Sequence, residues 1–491
     1  MKKVLKLLLV GLAVITLAAC TDYNGNNPVY GTDTLAEQNS SPICLDTASY
    51  LFERLEAILD ADDGNLWGVN LHGPVVIADA ITRYAIANMP DVDGKIFTRQ
   101  GNFYVGKIPE EALIGNTASF FGGRRWGMVT WGLIEADNEM DIVYVMLHEL
   151  FHAQQPVIFG DDIPSQGIQA HIRELDNRIS IRLERNALFV ALHATGEERM
   201  SAVHDALSIR AERRRLNTYS SFLAENFGFE SDAAHDEIRF ELVEGTALYT
   251  EIVLGRNNLE DRLALLEKFI DMNGDDTVIQ YGYHTGALYG LLLDEFSINW
   301  REGINWHTDL AVILKKGINF ETIIPFNEIN LERYGYSEIR IFEEAFVAEV
   351  ERLTNEAREA LSGSLLFIDA LGEFGQGADE DVTVLFVQGL GVKNSDEFDY
   401  DNDEVFLLVD GRNYERTVFY GDFSYSAEFG EVEFTSGFLM LWRAMWRHGI
   451  PADNIEVDGN RIIGSNWVLT LNEGFEMREV DGGHFGIVDN R

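Results

Sequence analysis

The segment MLHELFHAQQ, residues 146–155, determines how the rest of this chain is interpreted. It contains the pattern His-Glu-x-x-His, formed by His148, Glu149 and His152. Residues four apart share one face of a helix, so both imidazoles can bind the same metal ion. Glu149 is poorly placed as a ligand but can reach a water molecule on that metal. The segment therefore predicts a zinc site, and the alternative is a partly buried helix whose histidines face solvent.

The pattern around this segment predicts a unit of mixed α and β structure, residues 43–160. A first helix, LDTASYLFERLEAILDA, precedes short apolar runs separated by Gly and Pro, which are typical of strands. The last of these runs, RRWGMVTWGLI, is a candidate to pair with an extended peptide by strand addition. The histidine helix itself is predicted over residues 138–155, because Pro156 cannot continue a helix interior.

A third metal ligand is expected on a second helix. Zinc favours two imidazoles and one carboxylate, with a fourth position open for water. The segment FELVEGTALYTE offers Glu241, Glu244 and Glu251, whose spacings of three and seven place them on one helical stripe. Three like charges beside apolar residues favour a bound cation, although a solvated acidic face would also explain them.

Three short motifs together resemble the gluzincin metallopeptidases, and the aminopeptidase-N-like branch is the most similar. They are HELFH at 148–152, EGTALY at 244–249 and YHTGA at 283–287, in the order found in that family. Two longer segments, LWGVNLHGPVVIADAITRYAIANMPD and GGRRWGMVTW, are similar to a group of uncharacterised bacterial predicted peptidases. The resemblance covers about 30 residues directly. It implies an α+β fold with a zincin-like catalytic unit, a mixed sheet and a helical subdomain.

The resemblance also implies a role for each residue of the motifs. Zinc would be held by His148, His152 and Glu244, and Glu149 would take a proton from the zinc-activated water. Tyr283 would donate a hydrogen bond to the developing oxyanion, and the alternative for Tyr283 is an aromatic packing role. Three further histidines are alternative oxyanion donors: His204, His235 and His284.

Two departures from the family pattern bear on the reaction. The interval from His152 to Glu244 is much longer than in aminopeptidases, so a helical hairpin is expected to lie across or beside the cleft. The family segment that grips a free substrate amine is replaced by GMVTW at 127–131. These departures put aminopeptidase activity in doubt and leave endopeptidase and exopeptidase cleavage both open.

The remainder of the chain divides into a helical part and a β-rich part. Helical spacing continues over residues 161–362, and short apolar runs with Gly, Asn and Asp turns predict a β-rich C-terminal domain over 364–491. Two acidic stretches, DEFDYDNDE and DMNGDD, resemble calcium loops only partially. Solvated acidic loops are the favoured interpretation of both.

The N-terminal sequence is typical of an exported bacterial lipoprotein. Residues 1–19 combine early lysines with an apolar run, as in a signal peptide. The ending LAAC resembles a lipobox, which implies a lipid on Cys20; the alternative is an ordinary signal peptide. Residues 20–42 are polar and predict a flexible tether. Cys44 is the only other cysteine, so no internal disulfide is expected after lipidation.

The composition excludes some partners and leaves others open. A formal net charge of −43 makes nucleic acid an unlikely ligand, because little could neutralise its phosphates. We therefore predict a lipid-anchored, extracytoplasmic zinc peptidase acting on a peptide or protein, with its oligomeric state open. One alternative is a non-catalytic surface lipoprotein that uses a zincin-like fold for binding. Another is a structural lipoprotein in which the histidine pattern is accidental.

Overall fold

A computed structural model describes most of the chain after the predicted tether. The described residues are 43–80, 82–109, 111–131, 139–161, 170–216, 233–272, 278, 280–369, 373–374, 383–387, 416–442, 447–480 and 483–491. They form two compact units that meet in sequence between Glu344 and Ala345. The signal peptide, Cys20 and the acidic stretch DEFDYDNDE lie outside the described residues, as does most of DMNGDD. Among the helices described, none is both long and apolar enough to span a bilayer.

The first unit combines one mixed sheet with a series of helices. The helices are α1 Leu45–Asp62, α2 Glu139–Phe159, α3 Leu175–His193, α4 Gly196–Leu216, α5 Ala233–Phe240, α6 Thr246–Gly255, α7 Leu259–Met272, α8 Tyr281–Glu295 and α9 Leu310–Gly317, and α10 Tyr336–Ala360 runs on into the second unit. Between α5 and α6 the chain forms a single π-helical turn, Glu241–Gly245. Short 3₁₀ turns lie at Ala170–Arg173, Phe326–Glu328 and Leu331–Tyr334.

The sheet of the first unit packs against the histidine helix. Its strands are β1 Val75–Ala78, β2 Tyr84–Ala87, β3 Phe97–Gln100, β4 Phe103–Lys107, β5 Thr117–Phe121 and β6 Arg124–Thr130, in the spatial order β3-β4-β2-β1-β6-β5. The β1–β6 pair is parallel and the other pairs are antiparallel. At Gly127 of β6, a Cβ would lie 2.6 Å from the backbone nitrogen of Leu150. This close approach fixes the histidine helix against the sheet.

The strand proposed to pair with a peptide is not an edge strand. β6 has β1 on one side and β5 on the other, so the interpretation of RRWGMVTWGLI as a free pairing edge is wrong. The edges of this sheet are β3 and β5. Strand order depends on contacts between segments distant in sequence. The alternation of side chains within one strand does not predict which strands lie beside it.

Pro156 does not end the histidine helix as predicted. The helix continues through Phe159, and the N–H of Gly160 donates to the Pro156 carbonyl at 3.0 Å. Proline removes one backbone donor from the last turn. The buried ring of Phe159 packs edge-on against Trp306, with centroids 4.9 Å apart, and against Trp67 at 5.8 Å. Burial of this aromatic ring offsets the lost hydrogen bond.

The second unit is built on one large sheet and confirms the expected β-rich C-terminal part of an α+β protein. Its strands are β7 Leu365–Asp369, β8 Glu373–Phe374, β9 Thr383–Val387, β10 Arg416–Ala427, β11 Gly430–Trp442, β12 Arg447–Pro451, β13 Glu456–Asp458, β14 Arg461–Ile463, β15 Trp467–Leu471, β16 Phe475–Val480 and β17 His484–Asp489. The long hairpin β10–β11 lies at its centre. The change from helical to strand structure falls between α10 and β7, near the predicted division at 362–364.

Candidate metal centre

Three side chains that are distant in sequence converge in the interior of the first unit. His148 and His152 lie on one face of α2, and Glu244 lies in the π-helical turn. The Nε2 atoms of the two histidines are 3.1 Å apart, and Glu244 Oε2 lies 3.1 Å from His152 Nε2 and 3.6 Å from His148 Nε2. Each of the three residues is at most 7% exposed. The geometry therefore brings together the two histidines and the glutamate named from the sequence.

The spacing of these three atoms suits a small divalent cation. A tetrahedral site with metal–ligand bonds of about 2.0–2.1 Å has ligand–ligand distances of about 3.3–3.4 Å. The observed distances of 3.1, 3.1 and 3.6 Å bracket that value. With three candidate ligands among the described residues, a fourth tetrahedral position would remain for water. The donor set and its spacing therefore fit zinc.

The charges in this cluster are mutually dependent. Burial lowers the pKa of His148, but hydrogen bonds to Glu244 and Glu251 outweigh burial and raise it to about 10. Burial raises the pKa of Glu244, but the charge of His152 and hydrogen bonds to both histidines hold it far below its usual range. The carboxylate thus stays ionised in the protein interior only because positive charge lies against it.

Glu149 lies beside the cluster with a carboxylate oxygen to spare. It is 2% exposed, and its Oε2 has no hydrogen-bond partner among the described residues. Burial raises its pKa to about 7, although the charges of His148 and His152 act in the opposite direction. A buried carboxylate with an open acceptor and a pKa near neutrality can accept and return a proton.

The other ring nitrogen of each histidine is also held. Glu251 Oε2 lies 3.2 Å from His148 Nδ1, and Gln155 Oε1 lies 3.0 Å from His152 Nδ1. These contacts orient the rings so that both Nε2 atoms face Glu244. Gln155 was not identified from the sequence, although its position one turn after His152 was a usable signal. Glu251, a candidate ligand in the sequence, is instead a partner of a candidate ligand.

Two glycine-containing motifs meet where the π-helical turn crosses α8. A Cβ at Gly245 would lie 2.5 Å from the Gly282 carbonyl oxygen and 2.6 Å from the Gly286 Cα. Only glycines permit this backbone-to-backbone approach. The crossing brings the ring of Tyr283 to 6.0 Å from the ring of His148, with the two planes 17° apart. Tyr283 thus lies beside the cluster and also packs on the rings of Phe240, at 5.6 Å, and Phe269, at 5.8 Å, an arrangement compatible with both of its predicted roles.

The predicted helical hairpin, α3 and α4, supports the ligand-bearing turn through a buried ion cluster. Arg210 of α4 binds both carboxylate oxygens of Glu241 at 2.6 Å and Glu184 of α3 at 2.9 Å. Arg213 bridges Glu184, at 2.5 Å, to Glu237 of α5, at 2.7 Å. Glu241, three residues before Glu244, therefore binds Arg210 of the hairpin and does not face the metal site.

The alternative oxyanion donors lie outside the group of candidate ligand atoms. The ring of His204 stacks on Phe320 with centroids 4.2 Å apart, and His235 is exposed. His284 is fully buried with its ring 5.8 Å from that of Phe269, and burial holds its pKa well below the usual range. Neither ring nitrogen of His284 has a hydrogen-bond partner among the described residues.

Comparisons with known proteins add no relative. No protein-family model, curated protein or solved structure matches this chain. The side chains and their distances are therefore the basis of the proposed function.

Proposed function

We propose that this protein is a zinc-dependent peptidase with a zincin-like catalytic unit of the gluzincin type. The observation that carries the proposal is the convergence of His148, His152 and Glu244 at zinc spacing. A buried carboxylate with a free oxygen, Glu149, lies beside them. A metal site used only for structure usually closes its fourth position with protein, whereas the three described ligands leave it open.

The side chains divide the steps of hydrolysis among them. When bound, zinc supplies a Lewis acid that lowers the pKa of water and polarises a carbonyl group. Glu149 accepts the proton from the attacking water on its free oxygen and later gives it to the leaving amine. Tyr283 donates its phenolic hydrogen to the carbonyl oxygen as negative charge develops there. Glu251 and Gln155 hold the histidine rings in place.

The edge strand β5 offers a place for an extended peptide. Among the described strands it pairs only with β6, and both strands contact the histidine helix. A peptide added to the outer side of β5 would bond to the main chain irrespective of its sequence. Main-chain hydrogen bonding of this kind would suit an extended peptide or protein substrate.

The proposal is tested with three variants of the full chain, measured for zinc content and for turnover of casein or a peptide library. Glu149→Gln should keep one equivalent of zinc and lose turnover by orders of magnitude. Glu244→Gln should lose zinc affinity and turnover together. Glu260→Gln, which removes an exposed carboxylate from α7, should change neither.

Three outcomes would overturn the proposal. A wild-type chain that binds no zinc would remove the metal centre. Equal turnover in wild type and Glu149→Gln would remove the role of the base. Zinc binding without turnover in any chain would favour the non-catalytic lipoprotein.

We further propose that a lipid on Cys20 anchors the enzyme outside the cytoplasm. The support is the signal-like sequence of residues 1–19 and the lipobox-like LAAC. Cys20→Ala should move the protein from the membrane fraction to the soluble fraction of a bacterial host. Cys44→Ala, which removes the exposed thiol at the start of α1, is the matched control and should stay with the membrane.

A further inference from the structure

Gln155 makes contacts on both sides of the candidate metal centre. Its Oε1 lies 3.0 Å from His152 Nδ1. Its Nε2 donates to the carbonyl oxygens of Val243, at 2.6 Å, and Leu242, at 3.1 Å. Gln155 is 2% exposed, so these contacts are shielded from water. One amide therefore joins a ligand on α2 to the turn that carries Glu244.

One of the two carbonyl groups that Gln155 bonds, that of Leu242, is made available by the π-helical turn. The N–H of Thr246 donates to the Glu241 carbonyl, five residues back, and not to that of Leu242 as it would in an α-helix. The Leu242 carbonyl instead accepts from the Thr246 hydroxyl at 2.5 Å and from Gln155. A π-helical turn is a strained, uncommon element that is often found at functional sites. Side-chain donors compensate for the displaced backbone bond.

We propose that Gln155 is a positioning residue that sets the distance between His152 and Glu244 by clamping the π-helical turn to α2. The inference rests on the proposed metal centre. An amide suits the position because it offers an acceptor to the imidazole N–H and two donors to the carbonyl groups. A carboxylate could hold the imidazole but would place oxygen against two carbonyl oxygens. The clamp thus requires glutamine, whereas orientation of His152 alone would accept glutamate.

The difference between glutamine and glutamate provides the test. Zinc affinity of the purified full chain is measured by competition with a chromophoric chelator. Gln155→Glu should bind zinc about 10–100-fold more weakly than wild type, the usual loss for an outer-shell partner. Gln154→Glu is the matched control, because Gln154 is the same residue type on the same helix, half-buried and directed towards Gly73. It should retain wild-type affinity.

A spectroscopic measurement separates positioning from general stability. With Co²⁺ in place of zinc, the visible spectrum reports the ligands around the ion. The Gln155→Glu spectrum should differ from that of the wild type, because the loosened turn withdraws the Glu244 carboxylate from the ion. A residue that only stabilised the fold would leave the spectrum of the folded fraction unchanged.

Each outcome decides a separate question. If Gln155→Glu binds zinc as tightly as the wild type and its Co²⁺ spectrum is unchanged, the clamp is overturned and the metal centre is left intact. If circular dichroism shows that Gln155→Glu does not fold, the uncharged Gln155→Met decides by the same measurements, and wild-type affinity in that variant overturns the clamp. A wild-type chain that binds no metal would instead overturn the proposed function.

Discussion

Substitution of Gly245 by alanine should separate the two helices that place Glu244 and Tyr283. The added methyl carbon would lie 2.6 Å from the Gly286 Cα and 2.5 Å from the Gly282 carbonyl oxygen. Carbon atoms in favourable contact are about 3.5–4.0 Å apart, so the crossing must widen by about 1 Å. The contacted atoms belong to the backbone, and no side chain can rotate away to relieve the contact.

The expected cost follows from two opposing effects. Overpacking of this size lowers the free energy of unfolding by about 1–3 kcal/mol, and replacing a helical glycine by alanine raises it by up to about 1 kcal/mol. We expect a net loss of about 1 kcal/mol, which lowers the melting temperature of a unit this large by roughly 2–4 °C. A displacement of about 1 Å at a reacting group can lower turnover about a hundredfold. Thermal unfolding measures the loss of stability and peptide hydrolysis the loss of turnover, and zinc competition measures the weaker metal binding expected if Glu244 is displaced.

A double-mutant cycle sharpens the test. A Cβ at Gly286 would lie 2.7 Å from the Gly245 Cα, so both substitutions act on one crossing. Once Gly245→Ala has moved the helices apart, Gly286→Ala should cost less than it does alone. Gly115→Ala is the control, because its Cβ would meet only Thr117 at 3.9 Å. Unchanged stability and zinc affinity in Gly245→Ala, or strictly additive losses in the double variant, would refute the close crossing.

Three further substitutions test the surroundings of the site and the second unit. Glu251→Gln removes the charge beside the first histidine and should weaken zinc binding about 10–100-fold in the chelator competition. Arg210→Met leaves Glu241 buried without its counter-charge and should destabilise the chain by about 3–5 kcal/mol in urea unfolding. Burial lowers the pKa of His448 from 6.5 to about 3. The neutral, buried His448 therefore contributes its full stabilisation of the fold above pH 6.5, and this contribution declines as the pH falls. The unfolding free energy should therefore drop by about 2 kcal/mol between pH 8 and pH 5, and His448→Phe should abolish that part of the drop.

Each of these predictions has its own contrary result. Wild-type zinc affinity in Glu251→Gln would show that the contact with the histidine is incidental. Arg352, about half exposed on α10, provides the control for Arg210, and Arg352→Ala should change stability by less than about 1 kcal/mol. A loss of similar size in both variants would contradict the buried ion cluster. An identical pH profile in His448→Phe and wild type would exclude that histidine as its source.

The local part of the site was predictable because spacing within one helix fixes direction. His148 and His152 are four residues apart, and any helix places them on one face. Glu149 follows from the same pattern. The local pattern was enough to predict α2, except for the turn after Pro156. Aromatic rings distant in sequence stabilise that turn.

The division of tasks among the three glutamates was not predictable from spacing. Glu241, Glu244 and Glu251 share one stripe of an ideal α-helix, but the π-helical turn changes the angle between successive side chains. Glu241 consequently binds Arg210, while Glu244 faces the histidines and Glu251 contacts the outer nitrogen of His148. The arginine partner lies on another helix, α4, and no local sequence pattern predicts the contact. The same limit applies to strand order, where β5 and not β6 is the edge.

The separation of the ligands along the chain links metal supply to the lifetime of the protein. His152 and Glu244 are 92 residues apart and meet only after the intervening helices have docked. An ion held there favours the folded chain alone, by about 4 kcal/mol when free zinc is a thousand times its dissociation constant. If the proposed function holds, scarcity of zinc would therefore reduce more than the activity. It would let the chain open more often and expose it to degradation, so that the amount of protein would follow the amount of metal.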